Sequence, residues 1–337
     1  MSLYTAENRR LVKRRFVRYL TLAGLLVLVA VAVGMFLTNQ KVGPETIAAA
    51  ERQADQQYQE QVRWAETERT ACEAAKGTTN ANNYPPDCTA ITAPERDQIS
   101  SEWFMPATFD FREEYGDMLT TAAAILALVA FVAGASYVGA EWSSGGMMNL
   151  LLWRPQRVKV LGTKLAALLV GLTALTVVTT VVWTATFWMI ASLRGATAKV
   201  TPGVWQSFAL TGLRGLGLVL AVGAIGFALA SLGRHTAMAF GVAIGVVVIF
   251  QFGLGTVLEL AQVKFMEAFL IPVWIAAWMQ KSIKLEDYNA CENTSFSGNC
   301  EPATFTITWQ MSGSVLAAVV ILIVGAAIWT MRNRDVT

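Results

Sequence analysis

The chain has 337 residues, of which 54% are hydrophobic and only 15% are charged, with a formal net charge of +2. This composition excludes an ordinary soluble domain, and the small net charge gives no reason to expect a nucleic-acid partner. The chain is therefore predicted to be an integral membrane protein.

Apolar segments along the chain predict the number of membrane crossings. A bilayer core about 30 Å thick needs about 20 apolar residues per helical span. Six segments meet this requirement, so the predicted fold class is an all-α polytopic membrane protein with six transmembrane helices. The predicted spans are approximately residues 19–38, 119–140, 165–193, 210–232, 237–258 and 311–331.

The amino-terminal residues 1–18 alternate basic and apolar side chains. This pattern predicts a cytoplasmic interfacial helix ahead of the first span, 19–38, although the arginines also suit a simple positive-inside anchor. The first apolar run is longer than the apolar region of a signal peptide and no convincing cleavage site follows it. It is therefore interpreted as an uncleaved span.

Basic residues in the short loops set the predicted orientation. With the amino-terminal arginines in the cytoplasm, six crossings bring Arg157, Lys159, Lys164 and Arg332 to the same side, and both termini are cytoplasmic. The predicted location is the plasma membrane, in which the chain is a multi-pass protein.

Residues 39–117, between the first two spans, are predicted to form an extracytoplasmic helical domain. Residues 45–75 contain no Gly or Pro and predict one long helix, and residues 94–103 suggest a second short one. Cys72 and Cys88 lie on the oxidising side and predict a disulfide. A zinc site is the weaker alternative, because the spacing is not that of a CxxC motif.

Residues 118–258 contain the second to fifth spans, and residues 259–310 precede the last segment, 311–337. Within residues 265–280 an aromatic and apolar stretch is interrupted by Pro272. This predicts a re-entrant or interfacial hairpin before the sixth span. A further full span is the alternative, but it would bring Cys291 and Cys300 into the cytoplasm, whereas we predict that they form a second disulfide.

The segment Glu141 to Lys164 lies between the second and third spans and is neither a simple loop nor a span. Its apolar residues predict an amphipathic helix at the membrane surface. The segment resembles the inner loop of bacterial ABC-2-type permeases (the type V exporter fold), including those of actinobacteria. The residues that carry the resemblance are Glu141, Gly145, Leu151, Leu152, Pro155, Arg157 and Lys164.

The resemblance implies a permease subunit that works with a separate ABC ATPase subunit in two copies and with a second permease subunit, expected to be identical. The sequence has no GxxxxGK[ST] loop, so ATP and Mg are expected on the partner ATPase and no cofactor on this chain. The chain would then not be an enzyme itself. Residues 141–157 would be the coupling helix that docks on the ATPase. The candidate docking residues are Glu141, Gly145, Met147, Met148, Leu151, Leu152, Pro155 and Arg157.

Two other readings of this segment stay open at the sequence level. In the first, its apolar residues only pack the inner ends of the second and third spans. Glu141 is expected to pair with Arg157, with Lys159 or with a base on the ATPase.

The resemblance also implies that the compound moved outward is amphipathic or hydrophobic, such as a drug, an antibiotic or a lipid-like molecule. Candidate residues along its path lie on the second and fifth spans: Phe131, Ser136, Tyr137, Phe240, Phe250, Gln251 and Phe252.

Arg214 is an intramembrane charge that we expect either to pair with Glu259 or to snorkel to the interface. An intramembrane enzyme would require acids or bases grouped at membrane depth, and the six predicted spans contain no such group. A membrane sensor with an outer ligand-binding domain is the main alternative function.

Overall fold

The computed structural model describes residues 3–153, 156–198, 200–287 and 302–333. In these ranges six helices are long and apolar enough to cross a membrane, which confirms the predicted all-α polytopic fold. They are α2 (Arg15–Thr38), α4 (Phe111–Ser143), α6 (Arg157–Arg194), α7 (Pro202–Leu232), the composite helix Thr236–Leu260, and α11 (Trp309–Asn333).

The remaining helices and strands are short, apart from one long helix between the first two spans. The other helices are α1 (Leu3–Lys13), α3 (Pro44–Ala75), α5 (Gly146–Trp153), α8 (Thr236–Val247), α9 (Gly255–Leu260) and α10 (Ile271–Gln280). The strands are β1 (Phe109–Asp110), β2 (Gly195–Ala196), β3 (Ser282–Asp287) and β4 (Ala303–Thr308).

The chain divides into two compact units. The larger unit contains residues 1–32, 112–187 and 198–337, and the smaller contains residues 33–111 and 188–197. Helices α2, α4 and α6 each belong partly to both units, since the unit boundaries fall within them.

Small residues let the helices of the larger unit approach closely. Gly134 of α4 lies against the backbone of α7, where an added Cβ would overlap the carbonyl oxygen of Gly223. Gly226 of α7 lies in the same way against the carbonyl oxygen of Phe131. Without a hydrophobic driving force between helices in lipid, such backbone-to-backbone contact is a main source of helix association. The α4–α7 pair is thus the packed centre of the larger unit.

Substitution of Gly134 by Ala is expected to destabilise the larger unit by about 1–3 kcal/mol, because the new methyl group meets backbone that cannot move aside. Gly116→Ala in the same helix is the matched control, since nothing lies within 4 Å of a Cβ at that position. The measurement is the thermal unfolding midpoint of each purified variant in detergent. Equal midpoints for the two variants would contradict the close α4–α7 contact.

The smaller unit is built on α3, which is the long helix that the sequence predicted. Cys72 near its carboxyl end forms a disulfide with Cys88, across a Cα–Cα distance of 5.8 Å, as predicted. Arg96 donates from Nε to Asp55 of α3 at 2.8 Å. The expected second helix at 94–103 is replaced by two 3₁₀ turns, Arg96–Gln98 and Ser101–Phe104. The segment after the disulfide is therefore held by side-chain bonds to α3 rather than by a helix of its own.

Removal of the disulfide by Cys88→Ser is expected to destabilise the smaller unit by about 3 kcal/mol, because closing a loop of this length restricts the unfolded chain by about that amount. The measurement is amide hydrogen exchange in the full-length protein across residues 44–104, which should speed up relative to the wild type. Exchange across α7 should stay unchanged and serves as the internal control. Unchanged protection in α3 would show that the bridge contributes nothing.

The stretch before the last span contains an element that the sequence reading missed. A 3₁₀ turn at Met266–Phe269 is followed by α10, and the break between them falls at Leu270, close to Pro272. Strands β3 and β4 then form an antiparallel hairpin in which Leu285 pairs with Phe305. Leu285 and Ile307 are buried beside Ala277 of α10, so each strand contributes one buried apolar side chain to a small core, against which Ile283 of β3 also packs. Cys291 and Cys300 lie outside the described residues, and a re-entrant path through lipid stays a prediction.

Candidate functional site

The segment between α4 and α6 makes a tight turn and then a short helix, α5. Gly145 takes a φ of 73°, in the left-handed region that favours glycine, and α5 starts at the next residue. Met147 and Leu151 are one turn apart on α5 and are both buried. Leu152 and Trp153 are 79% and 81% exposed, respectively. The helix therefore has an inner face that packs on its own protein and an exposed apolar tip.

This split refines the set of candidate docking residues. Met147 and Leu151 pack inward, as the packing interpretation expects, while Leu152 points outward, and docking of α5 on the ATPase stays a prediction. Met148 is half-buried, and Arg157 begins α6 and is also half-buried. Pro155 lies outside the described residues. Trp153 is the most exposed apolar side chain of α5.

A buried ion cluster joins three helices, α1, α4 and α6. Lys164 of α6 contacts Glu7 of α1 at 2.6 Å (Nζ to Oε2) and Glu141 of α4 at 2.7 Å (Nζ to Oε2). Lys164 and Glu7 are completely buried, and the Glu141 side chain is 16% exposed. Glu141 thus forms an ion pair with Lys164, a partner that the sequence analysis did not consider. A single ammonium group bridges two carboxylates that approach from different helices.

Tyr137 and two arginines complete the cluster. The Tyr137 hydroxyl donates to Glu7 Oε2 at 2.8 Å, and Arg10 pairs with Glu7 Oε1 at 3.1 Å. Arg14, at the bend between α1 and α2, donates from Nη1 to the carbonyl oxygens of Ser136 and Tyr137 at 2.8 and 2.9 Å. The amino-terminal helix is therefore bound to the carboxyl-terminal end of α4 by charge-assisted hydrogen bonds, which are stronger than hydrogen bonds between neutral groups.

The pKa of Glu7 reflects this environment. Burial raises the pKa of the Glu7 carboxyl, but the hydrogen bond and positive charge of Lys164, with the hydrogen bond from Tyr137, outweigh burial and leave that pKa lowered. Glu7 is thus the ionised partner of Lys164 at neutral pH. Its contribution to stability is fully present above the pKa that this carboxyl has in the unfolded chain, and it is lost as pH falls through the lowered value.

The remaining candidate residues of the second and fifth spans fall into three groups. Tyr137 and Ser136 are buried, with the Ser136 hydroxyl donating to the carbonyl of Ala133, so neither is accessible to a transported compound in the protomer. Phe131 contacts Phe240 edge to face at 5.9 Å. The other candidates, Phe250, Gln251 and Phe252, lie in a π-helical turn, Val248–Leu254, where Phe250 and Phe252 are exposed.

Arg214 does not have the partner that the sequence suggested. Its guanidinium lies over the ring of Trp309 at 5.2 Å, whereas Glu259 is exposed at the end of α9 and forms no ion pair with it. The indole of Trp278 donates to the Arg214 carbonyl at 2.8 Å. Two tryptophans thus hold this residue in place, as suits a cation near an interface.

No group of three or more His, Cys, Asp or Glu side chains in the described ranges could hold a metal ion. His235, the single histidine, accepts a hydrogen bond from the Ala237 amide at 3.0 Å and so caps α8. The charged groups of the cluster, Glu7, Glu141 and Lys164, are bonded to one another.

Six membrane-spanning helices, with the short helix α5 between the second and third of them, define a polytopic membrane protein. The chain matches the family model described as "ABC-2 family transporter protein" over residues 1–336, and it belongs to that family. It is therefore the transmembrane permease subunit of an ABC transporter, which works in the membrane with an ABC ATPase subunit. No curated protein sequence matches the chain.

Proposed function

We propose that this chain is the permease of an ATP-driven exporter for hydrophobic or amphipathic compounds, and that α5 is the element that docks on the ATPase. The observation that carries the proposal is the position of the exposed tip of α5 directly before the helix that carries Lys164. A partner that pushes on Leu152 and Trp153 moves a short helix whose buried face packs on the protein. That helix is connected on both sides to members of the ion cluster, Glu141 and Lys164.

Movement of α5 can reach the membrane spans only if α5 is rigidly connected to them. Energetic coupling between distant sites is carried by packed side chains and hydrogen-bond networks that can occupy discrete arrangements. In this protein the Lys164 bridge joins the inner ends of α4 and α6 to α1, and α4 continues into the α4–α7 contact. Movement of α5 would be passed to the centre of the larger unit.

We also propose that the side of the membrane on which α5 lies is the cytoplasmic side. Arg10, Arg14 and the exposed Lys159 lie at the same ends of the spans as α5, which by the positive-inside rule makes that side cytoplasmic. ATP and Mg would then be bound by the ATPase subunit on this side, and both termini of the permease would face it.

A second, identical permease subunit is also proposed, with α8 as the contact helix. Gly241 and Gly245 form a GxxxG pair, and nothing lies within 4 Å of a Cβ at either position. The pair is thus unused inside the protomer, in contrast to the glycines of α7. A free small-residue face in lipid suits close approach of another helix.

The proposal is tested by reconstituting the permease and its ATPase in inside-out vesicles. ATP should drive a hydrophobic fluorescent dye into the vesicle lumen, and vesicles that contain the permease alone should show only passive equilibration. Uptake that does not depend on ATP, or ATP-driven movement out of the lumen, would contradict the proposed direction and coupling.

A further inference from the structure

A groove of about 470 Å³ lies in the larger unit, where the bend between α1 and α2 meets α4 and α6. Among the described residues, its lining is apolar apart from Thr21 and Arg18. The Thr21 hydroxyl donates to the carbonyl of Val17 at 2.8 Å, so its proton is already bonded. Val12 and Leu22 also line the groove and are 64% and 55% exposed, so the groove opens on the outer surface of the helices.

Two close helix contacts fix the walls of this groove. Leu11 of α1 lies against Gly171 of α6, where an added Cβ would be 2.9 Å from Leu11 Cδ2. Gly24 of α2 lies against Val129 of α4, where an added Cβ would be 2.6 Å from Val129 Cγ2. Helix α1 is thereby held on α6 and helix α2 on α4. The space between the four helices is therefore a fixed feature of their packing.

Arg18 lies at the end of the groove nearest the bend between α1 and α2. Its Nε donates to the carbonyl of Val12 at 2.9 Å, and its Nη2 donates to the carbonyl of Lys13 at 3.2 Å. Arg15 precedes it by three residues and so lies on the same face of α2. Both arginines are exposed, and no acidic side chain is among the described residues of the lining. Two cations thus stand about one helical turn apart at one end of an apolar groove.

The position of the groove along the span indicates what occupies it. Helix α2 begins at Arg15, and the groove wall reaches Leu22, about 10 Å further along the helix axis. In a bilayer this distance leads from the headgroup region into the hydrocarbon. Acyl chains are the molecules present at that depth, and an empty groove would lose dispersion contacts with them. At headgroup level the available anion is phosphate, which forms charge-assisted hydrogen bonds with guanidinium groups.

We propose that this groove binds an anionic phospholipid, with its phosphate at Arg15 and Arg18 and an acyl chain between α2, α4 and α6. Basic pockets between transmembrane helices recognise anionic headgroups in this way. A zwitterionic phospholipid brings the same chain but no net charge, so the net charge of the headgroup is what the site selects. Free phosphate brings the charge without the chain. The binding is a property of the permease alone and does not rest on the proposed function.

The test uses a phosphatidylglycerol with a diazirine on one acyl chain and a phosphatidylcholine with identical chains. Each probe is added to phosphatidylcholine nanodiscs that hold the purified full-length permease, and labelled peptides are quantified by mass spectrometry. Phosphatidylglycerol should label residues 129–133 and 168–175 more strongly than phosphatidylcholine does. Along residues 315–325 of the lipid-facing α11, the two probes should label equally. Inorganic phosphate at constant ionic strength should not displace the phosphatidylglycerol probe.

Substitutions at the two arginines test the recognition of charge. Arg18→Gln should lower the ratio of phosphatidylglycerol to phosphatidylcholine labelling in the groove about fivefold, the contribution of one basic residue near an anionic lipid. Arg15→Gln should have the same effect, and it leaves the bonds of Arg18 to α1 in place, so it tests the site even if Arg18→Gln disturbs the bend. Arg18→Lys keeps the charge and should retain most of the ratio.

Two further variants separate the groove from general attraction of lipid to the protein. Arg9→Gln combined with Lys159→Gln removes two exposed cations of α1 and α6 that lie outside the groove, and it should leave the labelling ratio unchanged. Leu175→Trp fills the groove from a half-buried position on α6 and should reduce labelling of residues 129–133 by both probes.

Equal labelling of the groove by the two probes, or a ratio unchanged in both Arg15→Gln and Arg18→Gln, would overturn the proposal. An equal fall of the ratio in the control double variant would overturn it as well, because the preference would then be a general attraction to basic surfaces. Labelling that survives Leu175→Trp would place the lipid elsewhere, and displacement by inorganic phosphate would identify a site for free phosphate. None of these measurements needs ATP, so their failure leaves the exporter proposal standing, and a failure of ATP-driven transport leaves the lipid result readable.

Discussion

Replacement of Lys164 by Met is expected to lower the free energy of unfolding by about 3–5 kcal/mol and to abolish transport. The change removes the single ammonium group between Glu7 and Glu141, so two carboxylates, one fully and one mostly buried, face each other without it. Removal of one partner from a buried ion pair is strongly destabilising for this reason. The measurements are the thermal unfolding midpoint in detergent and ATP-driven transport in vesicles.

Lys159→Met is the matched control, since Lys159 is an exposed lysine on the same helix. Glu7→Gln should have a smaller effect than Lys164→Met, because Lys164 then keeps Glu141 as a partner. A Lys164→Met midpoint equal to that of Lys159→Met would contradict the role of the cluster in holding the inner helices together.

The pH dependence of the wild type and the variant should have opposite signs. In the wild type the pKa of Glu7 is lowered, so stability is retained above about pH 4.5 and declines as pH falls further. In Lys164→Met the two carboxylates repel each other at neutral pH, and protonation of one of them relieves that repulsion. The variant should therefore gain stability as pH falls from 7 toward 5, where the wild type is unchanged.

A triple variant, Glu7→Gln, Glu141→Gln and Lys164→Met, separates stability from coupling. With no buried charge left unpaired it should recover most of the lost stability, since a buried ion cluster can be replaced by neutral groups of similar size and Arg10, which loses its pair with Glu7, is exposed. If the cluster also transmits movement, transport should stay impaired in the stable triple variant. Full transport by the triple variant would limit the cluster to a structural role.

The sequence was sufficient for the span count but not for the partners of the cluster. Apolar length predicts each crossing because the bilayer has a fixed thickness. The contact between Glu7 and Lys164 joins residues 157 positions apart, and no local periodicity encodes it. One signal was present: Glu7 is the single acid among the first 18 residues, which are otherwise strongly basic.

Other differences also have physical reasons. The spacing of Met147 and Leu151 by four residues places them on one helical face, so the inward side of α5 could have been read from the sequence. The β3–β4 hairpin was missed because its strands are short and each has one buried apolar residue. The π-helical turn at 248–254 has no reliable sequence signature, so the directions of Phe250 and Phe252 could not be predicted.

Substitution of Trp153 by Asp is expected to abolish co-purification with the ATPase while the permease stays folded. Trp153 is 81% exposed at the tip of α5, so the change buries no charge in the free permease. In a docked complex it would place a carboxylate in an apolar contact. Aromatic anchors of interfaces contribute about 2 kcal/mol or more, so affinity should fall at least about 30-fold. Leu152→Asp, at the neighbouring exposed position, should have the same effect.

Two further variants decide what a lost complex means. Trp103→Asp changes a tryptophan of similar exposure in the smaller unit, and it should leave ATPase binding and ATP-driven transport intact. Leu151→Asp should instead lower the unfolding midpoint, because Leu151 packs inward and its carboxylate would be buried. Docking through the tip of α5 would be ruled out if Trp153→Asp and Leu152→Asp both retained the complex and its turnover. Loss of the complex only in Leu151→Asp would show that α5 acts through folding, and the ATPase contact would then have to lie elsewhere on the inner surface.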